Sequence, residues 1–171
     1  GVVLSAMLYL NRSSNDLVLV ELMKRPDGAI EEHKQPERLK STQVTVLEVY
    51  GPLYYASAPT LEQRLPSLQG AQNPVVVLRL RGQKELGATL IDVLSTYARK
   101  LQSVNGRLYL AGLSSQIKDQ LEHAGKLSLT GPVRLFEATS VRGQSTNEAV
   151  VSAQEGLVEQ NGPTPSGDGN G

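Results

Sequence analysis

The segment Pro74-Val-Val-Val-Leu-Arg-Leu80 constrains this chain most. An unbroken run of β-branched and aliphatic residues suits a strand buried on both faces, so layers are needed above and below it. The segments C-terminal to it supply them. From Ala88 to Val104 the apolar residues Leu90, Leu94, Tyr97, Leu101 and Val104 recur at helical spacing, and Asn105-Gly106 stops the pattern. Arg107 to Leu113 reads as a second strand. Ser114 or Ser115 then caps a helix that turns Ile117 and Leu121 inward and ends at Gly125, and Pro132 to Ala138 is a last short strand. Strands alternating with helices imply a largely parallel sheet.

The flanks extend this unit. Gln43 to Tyr50 is rich in β-formers; Gly51-Pro52 interrupts it, and residues 53–56 are expected to resume the strand. Ser57 or Thr60 can cap a short helix that ends near Pro66, with Gln63 in capping-box spacing after Thr60. Upstream, Leu17 to Lys24 reads as a strand, Arg25-Pro-Asp-Gly28 as a turn, and 29–34 as the return strand of a hairpin, followed by a polar connection over 35–42. Downstream, Ser145 with Glu148 forms a second capping box, and Ala149, Val150, Ala153 and Leu157 make one face of a final helix. The stretch after Gln160 has no apolar residue and is expected to be disordered.

Composition excludes several functions. Lys and Arg number 17 and Asp and Glu 17, so the net charge is zero and the basic footprint of a nucleic-acid binder is missing. Aromatics are only 4%, which removes base-stacking platforms. The absence of cysteine excludes disulfides, thiol catalysis and cysteine-held metals. His33 and His123 each lack a second His at i+3 or i+4, so no helical metal motif exists. No G-x-S-x-G elbow accompanies the serines, and Glu48, Asp92 and Glu137 read as solvated carboxylates. No catalytic residue, metal or cofactor is expected.

The sequence opens at Gly1 with an apolar stretch, Val2 to Leu10, too short to cross a membrane, which takes about 20 such residues. One reading packs it in a soluble domain. The other makes it the last turns of a transmembrane helix, with Tyr9 at the interface and Arg12 on the cytoplasmic side.

The order of elements from about Ser41 to Ala153 resembles a STAS domain, the fold of anti-sigma-factor antagonists and of the tails of SulP-type anion permeases. Val44 to Ala58 is similar to its opening strand pair, Pro74 to Gly82 to its central strand, and Gly106 to Gly112 to the next. Val2 to Leu10 is similar to the end of the last membrane helix of such permeases, and Arg25-Pro-Asp-Gly28 with Glu32 resembles the segment joining membrane and tail. The resemblance implies an α/β fold: a mixed, mostly parallel sheet of about four to five strands with about four helices. It divides the chain into a transmembrane end (1–12), a linker with a short hairpin (13–40), the STAS domain (41–160) and a disordered tail (161–171).

The resemblance also implies a role. The chain would be the regulatory and dimerisation domain, on the cytoplasmic face of the cell membrane, of a transporter for sulfate or bicarbonate. Its partners would be the membrane domain of the same polypeptide, a second copy, and a nucleotide or cytosolic regulator, with no nucleic acid. The alternative is a free-standing module that binds an anti-sigma factor or kinase. In many STAS domains the loop after the central strand carries Asp, then a Ser or Thr phosphoacceptor. Here Leu86 and Ala88 stand at those places and Thr89 is one position off, which argues against a kinase-controlled switch.

The expected anion- or nucleotide-binding loops lie where parallel strands deliver their carboxyl ends. One holds Arg81, Gly82, Lys84, Gly87 and Thr89, at the positive end of a helix. The other holds Gly112, Ser114 and Ser115. Plain strand-to-helix turns, with Thr89 and the serines as caps, account for the same residues without a ligand.

Overall fold

The computed structural model describes residues 17–51, 53, 57–127, 132–139 and 144–160. The expected membrane end (1–12), the resumed strand over 54–56 and the tail (161–171) lie outside them.

Six strands form one sheet: β1 (Val18–Lys24), β2 (Ile30–Lys34), β3 (Val44–Tyr50), β4 (Val75–Arg79), β5 (Arg107–Leu113) and β6 (Val133–Glu137). Their spatial order is β2-β1-β3-β4-β5-β6. β3 to β6 run parallel, as the alternation of strands and helices requires. β1 lies antiparallel against β3 and β2 antiparallel against β1, so the hairpin around Gly28 (φ 87°) adds two strands to one edge. All five residues of β2 are exposed, and its Glu31, Glu32 and Lys34 discourage further pairing at that edge.

Among the described residues four helices join the sheet: α1 (Ala58–Arg64), α2 (Ala88–Ser103), α3 (Ser115–Ala124) and α4 (Gln144–Gln160). The strand period of two distributes side chains to opposite faces. On one face Leu47, Val76, Leu78, Leu108 and Leu110 meet Leu61 of α1, Leu90, Leu94 and Leu101 of α2, and Ile117 and Leu121 of α3. On the other, Val75, Val77, Tyr109 and Ala111 meet Ala149, Ala153 and Leu157 of α4. Three helices thus cover one face and a single helix part of the other. That is why β4 and β5 are continuous hydrophobic runs, while β3 alternates buried and half-buried residues.

The boundaries follow local chemistry. Asn105 adopts a positive φ of 57° and the Gly106 amide donates to Leu101 O at 2.6 Å, closing α2. A Cβ on Gly106 would lie 2.8 Å from Pro74 O, so only glycine fits between the helix end and the start of β4. Gly125, at φ 63°, ends α3 as a left-handed cap.

Candidate functional site

The loops that leave β3, β4 and β5 gather at one edge of the sheet. After Arg79 the chain continues one residue to Leu80, whose amide donates to Ala111 O at 3.0 Å, and then turns through Gly82 at φ 81°. The Gln83 side chain reaches the neighbouring loop and donates to Gly51 O at 2.9 Å. On the other side, Gly112 is buried at φ 70° in the irregularity that shifts the β5–β6 register between Leu110 and Leu113. A Cβ there would lie 3.4 Å from Arg81 Cβ, so the two expected loops touch at Arg81 and Gly112.

The remaining expected residues are spread over this edge. Lys84 and Thr89 are exposed, and Gly87 is the extended residue that opens α2, without a side chain to cap it. The Leu90 and Ile91 amides donate back to Gly87 O at 3.0 and 3.1 Å. Thr89 is therefore inside the first turn of α2 and not its cap. Ser114 does cap its helix: its hydroxyl accepts from the Ile117 amide at 3.2 Å, and Ser115 is the first residue of α3. Arg81, Gly82 and Gly112 are thus brought together, Ser114 is taken up by its cap, and Lys84, Thr89 and Ser115 sit at the exposed rim.

Three residues outside the expected loop set support this edge. Gln120 of α3 holds the loop before α2, its side-chain oxygen accepting from the Leu86 amide at 3.1 Å while its nitrogen donates to Leu86 O. Leu86 is buried in the core. Ser145, placed by sequence in a capping box, instead accepts a hydrogen bond from the buried Gly112 amide at 3.1 Å, and Glu148 accepts from the Gln144 side chain at 3.0 Å. The Ser145 bond ties the start of α4 to the bulge of β5.

Glu48 departs from its reading as a solvated carboxylate. It pairs with Arg79 at 3.2 Å, and the two side chains are only 13% and 12% exposed. Parallel register places them side by side, since each is the fifth residue of its strand. Asp92 and Glu137 do lie at the surface, paired with Lys126 at 2.6 Å and Lys118 at 3.7 Å. Among the described residues no group of three or more His, Asp or Glu is placed to hold a metal, and no helix is long and apolar enough to cross a membrane.

Among the described residues, this geometry is one of backbone turns and cationic side chains. Comparison with curated proteins gives no match. Among solved structures, the fold resembles that of the murine solute carrier 26 family member A9 anion transporter in its inward-facing state. The TM-score is 0.61 and the identity 14%, over 88% of this chain and 24% of that one. A second structure of SLC26A9 matches with TM-score 0.57 and 13% identity, over 91% of this chain and 27% of that one. At such identities the likeness is one of fold, and the chain spans only those fractions of the transporters' length. The family model of the STAS domain matches residues 35–140, from the connection before β3 through the end of β6, and the chain belongs to the STAS domain family.

Proposed function

We propose that this chain is the regulatory and dimerisation domain, on the cytoplasmic face of the membrane, of a secondary-active inorganic anion transporter. The observation that carries this reading is the STAS fold over 35–140 together with its likeness to two structures of an anion transporter. The transported ion, sulfate or bicarbonate, would bind in a membrane domain of the same polypeptide, joined through Val2 to Leu10. The domain is not catalytic in this reading. Any nucleotide or anion that regulates it would meet the edge carrying Arg81, Gly82, Lys84, Gly87 and Thr89, with Gly112, Ser114 and Ser115 alongside.

Uptake of labelled sulfate and of labelled bicarbonate by cells expressing the full source gene tests the reading. Removal of residues 41–160 should lower uptake of one of them severalfold. A gene product without membrane spans, or uptake indifferent to the removal, would sink it.

A free-standing partner-switching module is the second reading. Exposed Thr89 is the observation that keeps it open, and exposed Ala88 at the phosphoacceptor place counts against it. Phosphate incorporation at Thr89 by a cognate kinase would favour it.

A further inference from the structure

Among the described residues, the face of the sheet on which α4 packs is covered only in part. Beside α4, over β3 and the hairpin, lies a groove of about 590 Å³, within the range of roughly 300–1,000 Å³ that small-molecule sites occupy. Val44 and Val46 of β3 and Val150 of α4 form its apolar floor. From Val44 to Glu48, which lies level with Arg79, the strand takes four steps of ~3.3 Å, so Val44 and the level of Arg79 lie roughly 13 Å apart along it.

Its two ends differ. At the carboxyl end of β3 and β4 lie Arg79 and, from the first turn of α4, Thr146. The Nε of Arg79 and the Oγ1 of Thr146 are buried without a hydrogen-bond partner. A buried polar atom left unmet carries its desolvation cost, and both residues line this groove, so one ligand group can serve as partner to both. Glu48 already balances the charge of Arg79, so that partner is neutral there.

The other end is cationic. Lys24 closes β1, which runs antiparallel to β3 and so ends near Val44, and Arg38 and Lys40 precede β3. None of these three exposed side chains forms an ion pair among the described residues, unlike Arg25, Lys118 and Lys126. Glu21 is the only carboxylate on the lining among the described residues. In a chain with zero net charge, this local excess favours an anion.

We propose that the groove binds a linear amphiphilic anion. Its anionic head lies among Lys24, Arg38 and Lys40. Its apolar chain runs over Val44, Val46 and Val150. A hydroxyl or carbonyl at its far end accepts from Arg79 Nε and pairs with Thr146 Oγ1. This site is separate from the loop edge around Arg81 and does not depend on attachment to a transporter.

Calorimetric titration of the purified chain with ω-hydroxydecanoate, decanoate and inorganic sulfate tests the proposal. The hydroxy acid should saturate one site, and decanoate should bind about three- to tenfold more weakly, the worth of one added hydrogen bond. Thr146→Val should narrow that difference and leave thermal unfolding nearly unchanged. A combined Lys24→Gln, Arg38→Gln, Lys40→Gln variant should weaken both acids alike, with the loss greatest at low salt. Equal binding of the two acids to the unaltered chain would overturn the proposal. So would undiminished binding by the three-charge variant, or displacement of the hydroxy acid by an equal concentration of sulfate. None of these results bears on sulfate or bicarbonate uptake, so the proposal and the transporter reading fail separately.

Discussion

Gly112 is held by three constraints at once. It holds φ at 70°, backs onto Arg81, and donates its buried amide to Ser145. An L-residue in the left-handed region costs about 1–2 kcal/mol, and here the added Cβ also presses on the adjoining turn. Gly112→Ala should therefore lower stability by about 2 kcal/mol in urea unfolding, and an unchanged midpoint would show that the turn relaxes freely. Two tyrosines set the alkaline limit. The hydrogen bond from Tyr50 to Glu32, then desolvation and the charges of Glu48 and Glu32, push its pKa up to about 12. Burial holds the Tyr97 hydroxyl, which donates to Pro66 O at 2.8 Å, well above the ordinary phenol range. Both groups are raised above the unfolded value of about 10. Their contribution is intact below that pH and is lost as pH rises through the folded values. Thermal melts should be flat from neutral pH to about pH 9.5 and fall above about pH 10, and Tyr97→Phe should blunt the fall.

Among the elements, two interactions separate local from tertiary control. Ser114 stabilises its own helix, and Ser114→Ala should cost about 1 kcal/mol, the usual worth of such a cap, measured by denaturant unfolding. The pair Glu48–Arg79 instead joins two strands through residues 31 apart in sequence. Removing one member leaves the other charge nearly buried, so Glu48→Gln should destabilise by about 3 kcal/mol. Replacing both, Glu48→Leu with Arg79→Met, should restore most of that loss because neither charge remains to be desolvated. If the double variant is as unstable as the single one, the pair is not coupled.

For the molecule as a unit, the asymmetry of the two faces matters most. α1, α2 and α3 shield one face, whereas α4 alone shields Val75, Val77, Tyr109 and Ala111 on the other. The family match ends at residue 140, before α4 begins. A chain cut at that point should nevertheless fail to give a stable monomer, since it would expose a contiguous apolar face. Dye binding to exposed apolar surface and the sedimentation profile would check this, and a monomeric, cooperatively unfolding fragment would contradict it.

Much of the architecture was legible in the order of residues. The strands at 44–50 and 75–79 declare themselves by β-forming content, the helix at 88–103 by its period, and Gly28, Asn105-Gly106 and Gly125 mark turns where they occur. The signal for the hairpin was clear as well, but not its place: only pairing of β1 with β3 makes it part of the sheet. Of the candidate loops, the cap at Ser114 was readable because a cap is a local hydrogen bond. The meeting of Arg81 with Gly112, the grip of Gln120 on Leu86 and the redirection of Ser145 to Gly112 join segments about 31 to 34 residues apart. No sequence period encodes such contacts.

Residue order alone thus specifies the elements, their alternation and hence the parallel sheet, because backbone preference and apolar spacing act over a few residues. Which face each helix covers was settled by tertiary packing. That packing left a groove beside α4, paired Glu48 with Arg79, and buried Arg79 Nε and Thr146 Oγ1 without partners. The cause is register: a strand period of two sends alternate residues to opposite layers, and what each then meets depends on segments far away in sequence.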